Sequence, residues 1–190
     1  MKFNRQSYLN TRRDAWVEIN LDAIEKNILE LKKYAHEGAK VLAVVKADAY
    51  GHGSVMITPT LLASGVYMLG VASIDEAMQL RENKITAPIL VLGAAPVWAF
   101  DCAAENDISL SLFLPEHIEA CKLTYERTGI KNKVHVKLDT GMNRIGVSRE
   151  NAVDLIKKVQ QSDFIDLQGI FTHFACAENV EKTKEQLEIL

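Results

Sequence analysis

The chain lacks the features that mark most specialised classes. Its 22 Lys and Arg against 25 Asp and Glu give a net charge of -3, so there is no basic footprint for nucleic acid. No apolar run reaches the length of a membrane span, and Lys46 interrupts the best candidate. The opening MKFNRQSYLNTRRDAW has no apolar core of a secretory signal, so residues 1–15 read as a polar leader. Cysteine is scarce and unpaired in number. Cys102, Cys121 and Cys176 lie far apart, which argues against a disulfide frame or a metal site and fits reduced thiols in the cytoplasm. No GxGxxG follows the first strand pattern, which weakens a dinucleotide-binding reading.

What is present is an ordinary globular composition, 48% hydrophobic and 25% charged over 190 residues. Helix and strand patterns alternate along it. Residues 16–20 read as a short strand, after which Asn20 caps a helix whose face carries Leu21, Ile24, Ile28 and Leu31. Strand patterns follow at 41–47, 67–73, 88–93, 108–113, 133–139 and 167–174. Between them lie helical patterns. Pro59 should kink or break the helix at 54–64. Ser73 and Glu76 have the form of a capping box for the helix at 74–82. A weaker helix lies around 97–105. Pro115 and Gly129 bracket the next helix, Ser148 opens another, and 181–190 reads as the last.

Most of these strands are continuous apolar runs, as a parallel sheet covered on both faces requires. Six such repeats point to an α/β fold of the (β/α)8 TIM-type barrel rather than an open sheet. A complete barrel has eight strands and typically about 250 residues. The chain holds about six of the eight and ends inside a helical pattern at Leu187, Ile189 and Leu190. Residues 16–190 therefore read as a partial barrel, truncated at its C-terminal side.

In such barrels the carboxyl ends of the strands carry the chemistry. Three of those ends hold unusual polar residues. Lys46 closes the apolar run of AVVKADAYGHG at 43–53, with Tyr50 and a Gly51-His52-Gly53 turn behind it. A charged amine there is costly unless it is paired or chemically used. Arg144 lies in DTGMNRIG at 139–146, and His173 in FTHFA. An amine, a guanidinium and an imidazole facing one cavity suit an electrophilic cofactor.

These motifs resemble those of the alanine racemase family. The likeness runs through AWVEINLDAIEKNI, AVVKADAYGHG, GVASIDEAMQLR, PILVLGA, KLDTGMNRIG and GIFTHFA, in family order, over nearly everything after the first dozen residues. It implies pyridoxal 5'-phosphate bound in a barrel, and racemisation of L- and D-alanine for peptidoglycan precursors. It also implies a β-rich C-terminal domain, absent from these residues, and a head-to-tail homodimer. Residue by residue, Lys46 would anchor the cofactor covalently and take the α-proton of D-alanine. A protonated amine cannot do this, so it must be held neutral, which burial and nearby positive charge favour. Tyr50 would donate to the cofactor phosphate and Leu92 would pack near the ring. Arg144 would bind near the phenolic oxygen and the substrate carboxylate, where a planar fork suits an anion. His173 would sit beside the ring. Lys137 matches a lysine that is carbamylated in some relatives and then holds the arginine.

Two departures stand out. Asn143 replaces the glycine that many relatives have before the arginine, a change that asparagine's tolerance of left-handed backbone makes mild. The second base of the family, a tyrosine of the β-domain, falls outside these residues, as do the arginine facing the pyridine nitrogen and most phosphate-binding groups. Two other readings compete. One is a non-catalytic pyridoxal-phosphate homeostasis protein, which tolerates a short chain but has a different lysine context. The other is an inert truncated product with unpaired sheet edges. No metal is expected, and the partners implied are an amino acid substrate and a second copy of the chain, with no nucleic acid and no membrane.

Overall fold

Each apolar run forms one parallel strand, and each strand is followed by a helix that covers it. The computed structural model describes residues 16–190, so the polar leader at 1–15 lies outside the described residues. Helix α1 (Leu21–Tyr34) precedes β1 (Leu42–Val44), and α2 (Ser54–Ala63) follows it. Then come β2 (Met68–Val71), α3 (Ile74–Glu82), β3 (Ile89–Val91), α4 (Ala99–Glu105), β4 (Ile108–Leu112) and α5 (Pro115–Thr128). The order closes with β5 (Asn132–Lys137), α6 (Arg149–Gln160), β6 (Ile165–Phe171) and α7 (Val180–Ile189). The six strands pair in sequence order, β1 to β6, all parallel. That order, with no switch of direction, is the arc of a (β/α)8 barrel, of which these are six strands.

Strand alternation divides the side chains between two faces. Leu69, Val71, Ile89, Val91, Ile108, Leu110, Leu112, Val134 and Val136 join the apolar core beneath the helices. Burying each such side chain stabilises the fold by roughly 1.5–3 kcal/mol. The opposite face is smaller and more polar, with Gly70, Ser109, Ser111, His135 and Lys137. The terminal signals act as their chemistry predicts. The Asn20 side chain accepts from the Ala23 N–H at 3.0 Å, Pro115 opens α5, and Gly129 ends it with a φ of 71°.

Four expectations need correction. Residues 16–20 form no strand. On α1 only Ile28 is buried and Ile24 packs beside the core, whereas Leu21 and Leu31 are exposed among the described residues. Pro59 does not end α2, and the Thr58 hydroxyl donates to the Ser54 carbonyl at 2.7 Å within it. The last strand ends at Phe171, so His173 lies just beyond the sheet.

β6 also carries a bulge. Val134 pairs with Leu167, yet His135 pairs with Gly169, leaving Gln168 as an extra residue. The insertion resets the alternation, so Phe171 comes opposite Lys137 on the polar face. Gly169 is required there, since a Cβ would meet His135 Nδ1 at 2.9 Å.

Candidate active site

The carboxyl end of β1 does not continue into a right-handed helix. Ala47, Asp48, Ala49 and Tyr50 follow Lys46 with φ of 51°, 52°, 53° and 53°, a run of left-handed residues without a glycine. Each costs about 1–2 kcal/mol for an L-residue, so the surroundings must enforce the turn. They do so at several points. The Ala49 N–H donates to the Val45 carbonyl at 2.8 Å. The Asp48 carboxylate accepts from the Ser54 N–H at 2.7 Å and the Ser54 hydroxyl at 3.1 Å, tying the turn to the start of α2. Gly51 and Gly53, at φ of 87° and 82°, release the chain from the turn. Lys46 emerges half-buried at the head of this structure, with its Nζ 5.8 Å from the centroid of the exposed Tyr50 ring.

The ends of β5 and β6 present the other groups. Lys137 is 3% exposed and its Nζ donates to the Leu138 carbonyl at 3.1 Å. Burial pushes this amine below its ordinary value, Asp139 opposes the shift, and Arg144 adds to it. The loop beyond it is shaped by Asp139, whose Oδ1 accepts from the N–H groups of Gly141 and Asn143, both at 3.0 Å. Burial would raise the Asp139 carboxyl, but these bonds and the charge of Lys137 hold it below its usual range. Asn143 takes the left-handed backbone expected of it, with a φ of 53°, and Arg144 follows, exposed at the loop tip.

His173 shows that these ends belong together. Its imidazole is lowered by burial first, then by Arg144, Lys137 and Lys46. Lys46 comes from one edge strand and His173 from the other, so the sheet curves its edges toward a common space. On the same face, Leu92 and Leu42 close over Gly70, where a Cβ would meet them at 2.9 and 2.7 Å. The result is a small apolar floor beside a group of cations. Such a site can hold a planar anion and present an amine to it.

Two residues that the sequence reading did not place here complete the site. Gln186 of α7 is 5% exposed. Its amide nitrogen donates to Thr140 Oγ1 at 3.0 Å and to the His173 carbonyl at 3.2 Å, and its oxygen accepts from the Ala175 N–H at 2.8 Å. It therefore latches the Arg144 loop to the His173 strand end. Glu76 of α3 reaches the backbone beside Lys46. Neither contact carries a local signal, because the partners lie 46 and 29 residues away.

Comparison with known proteins agrees with the fold and places it in a family. Residues 19–190 match the family model for the alanine racemase N-terminal domain. Alanine racemase 1 of Oceanobacillus iheyensis is 46% identical over 170 residues, covering 89% of this chain and 45% of that protein. The chain thus spans about half the length of the curated relatives it matches. Among solved structures, the alanine racemase of Bacillus anthracis with bound L-Ala-P aligns with a TM-score of 0.84 at 40% identity, covering 94% of this chain and 47% of that one. A histidine racemase from Leuconostoc mesenteroides aligns with a TM-score of 0.82 at 35% identity, covering 89% of this chain and 46% of that one. The parallel arc is therefore shared with a known group of proteins, and the chain belongs to the alanine racemase family through its N-terminal domain.

Proposed function

We propose that the protein is a pyridoxal 5'-phosphate-dependent racemase that interconverts L- and D-alanine, with its product serving peptidoglycan precursor synthesis. The observation that carries this reading is the family match over residues 19–190, beside which Lys46, Lys137, Arg144 and His173 stand at or just past the carboxyl ends of parallel strands and make that end of the arc positive. That positive field suits a cofactor bearing a phosphate and a phenolic oxygen, and the floor of Leu42 and Leu92 over Gly70 suits its flat ring. When bound, the cofactor supplies an electron sink for the charge left at the α-carbon.

The residues then have distinct tasks. Lys46 Nζ anchors the cofactor and holds or removes the α-proton on the D-alanine side. Tyr50 donates its hydroxyl to the phosphate, and Leu92 packs against the ring. Arg144 grips the phenolic oxygen and the substrate carboxylate, and His173 orients the polar groups around the ring. Lys137 is a candidate for carbamylation. Its burial favours the neutral amine that reacts with carbon dioxide, and the carboxylate formed would face Arg144.

A tyrosine from a β-rich domain of a second protomer completes the two-base arrangement, so the working form is a homodimer. Cys102, Cys121 and Cys176 are free thiols, which supports a cytoplasmic setting, and no helix among the described residues is long and apolar enough to cross a membrane. The curated relatives named as alanine racemases support this reading over a non-catalytic cofactor carrier. The test is direct. The full-length protein, loaded with pyridoxal 5'-phosphate, should form D-alanine from L-alanine, and should prefer alanine when histidine and serine are offered beside it. Absence of D-alanine would sink the proposal, and a preference for histidine would redirect it.

A further inference from the structure

Ser73 and Glu76 have capping-box spacing, in which the glutamate should reach back to the Ser73 N–H. Ser73 does its share, accepting from the Glu76 N–H at 3.4 Å. The Glu76 carboxylate goes elsewhere. Its Oε2 accepts from the Ala72 N–H at 2.7 Å, and its Oε1 accepts from the Ala47 N–H at 2.8 Å. Ala72 is the first residue past β2, and Ala47 is the first past Lys46. One carboxylate therefore ties the ends of β1 and β2 together, just beyond the bond from the Val45 N–H to the Gly70 carbonyl at 2.8 Å.

The peptide it grips matters most. The Ala47 N–H belongs to the same peptide plane as the Lys46 carbonyl, so holding it fixes ψ of Lys46. Ala47 is also the first left-handed residue of the turn. Water could satisfy that N–H but could not set its direction. A carboxylate gives stronger, more directional bonds than a neutral acceptor. Lysine carries a long flexible stem, so the direction in which its backbone launches it decides where the amine spends its time.

We propose that Glu76 is a positioning residue for Lys46, its carboxylate clamping the peptide after the lysine to the end of β2 and so aiming the amine into the site. This rests on the reading of Lys46 as the reactive amine. Glu76→Gln and Glu76→Ala are compared with the wild type in the full-length protein. In the cofactor-free form, amide hydrogen exchange at Ala47 and Ala72 should quicken about tenfold or more in Glu76→Ala, while the later turns of α3 keep their protection. Borohydride trapping of pyridoxal 5'-phosphate on Lys46, per folded chain, should slow by about fivefold or more. For the same reason kcat per folded chain should fall about tenfold while KM for alanine stays within about twofold; loss of folded protein would also lower the rate at constant KM, so the rate is normalised to the folded fraction. Glu76→Gln should lie between, since its amide oxygen keeps one bond while its NH2 confronts the other N–H. It also carries the test if Glu76→Ala fails to fold. A wild type that neither traps cofactor nor forms D-alanine overturns the functional reading. A wild type that does both, beside folded variants that match it in exchange, trapping and kcat, overturns the clamp alone.

Discussion

The two edges of the strand arc place reactive groups by different physical means. At the end of β1 a single group, Lys46, stands on four consecutive strained residues, Ala47 to Tyr50. Lys137 ends β5, His173 follows β6, and Arg144 stands between them on a loop with one strained non-glycine residue, Asn143, held by Asp139 and Gln186. The first arrangement stores strain to fix one position. The second spreads the task over hydrogen bonds and fixes several positions less tightly. Between them β2, β3 and β4 are buried at every residue and contribute bulk rather than chemistry. Chemistry thus concentrates at the carboxyl ends of β1, β5 and β6 rather than on the middle strands.

The largest test removes the group that the β1 edge exists to hold. Lys46→Ala should lower racemisation in the full-length protein by roughly 10⁴-fold, since it deletes anchor and base together. Lys46 is only half-buried, so the melting temperature should barely move. Loss of fold instead of activity would break the contrast, making Lys46 a packing residue. The matching test at the other edge is Gln186→Ala. It removes the Ala175 N–H's side-chain acceptor and unties the buried Thr140 from the His173 carbonyl. Unfolding by urea should show a cost of about 1–3 kcal/mol, with a weaker loss of activity than Lys46→Ala. Stability falls first at this edge because its geometry is made of bonds between distant segments.

Sequence reading reached the two edges unequally. The six β/α units were legible because apolar runs, caps and the Pro115 and Gly129 punctuation are local signals. Asn143 was legible for the same reason, as a residue that tolerates the left-handed region. The turn at 47–50 was not, because of Ala-Asp-Ala-Tyr only Asp48 tolerates positive φ, and tertiary contacts impose it on the others. The Gln168 bulge was equally hidden, since a one-residue slip in pairing leaves no mark on composition. Glu76 was legible as a cap but not as a clamp, because its second partner is contributed by another strand end. Lys46, Arg144 and His173 could be named from their motifs, yet their shared electrostatic field appears only once the sheet curves.

Acid should expose the polar face on the β5 side. His135 lies there with an Nε2 that has no partner, and His117 sits in the core of α5. Burial lowers both imidazoles. The unfolded chain takes up protons below about pH 6.5 that the folded chain refuses, so stability must fall as pH drops through that range. Lowered carboxylates such as Asp101 and Asp139 act only nearer pH 4, outside this window. The urea midpoint should therefore be lower at pH 5.5 than at 7.5, and His135→Leu should blunt the difference. A midpoint that rises on acidification would show that these imidazoles find charged partners. Lys137 sharpens the same side. Lys137→Met removes a buried amine and keeps its bulk, so stability should rise by about 1 kcal/mol while activity falls. That opposition would mark Lys137 as kept for chemistry rather than for packing.

The smallest expected effect bears most directly on the strain at the β1 edge. Ala47 is exposed, at a φ of 51°, so its methyl group contributes little packing and only restricts the backbone. Ala47→Gly removes that restriction in the folded state, where glycine enters the left-handed region freely. It also loosens the unfolded chain, which offsets part of the gain. The balance should be a stabilisation of at most about 1 kcal/mol, read as a small rise in melting temperature. Asn143→Gly should give less, because asparagine already tolerates that backbone. If Ala47→Gly destabilised the protein while Asn143→Gly did not, the turn after Lys46 would be a relaxed structure. Its enforcement by Glu76, Asp48 and Val45 would then be incidental, and the two edges would differ in their residues but not in how they hold them.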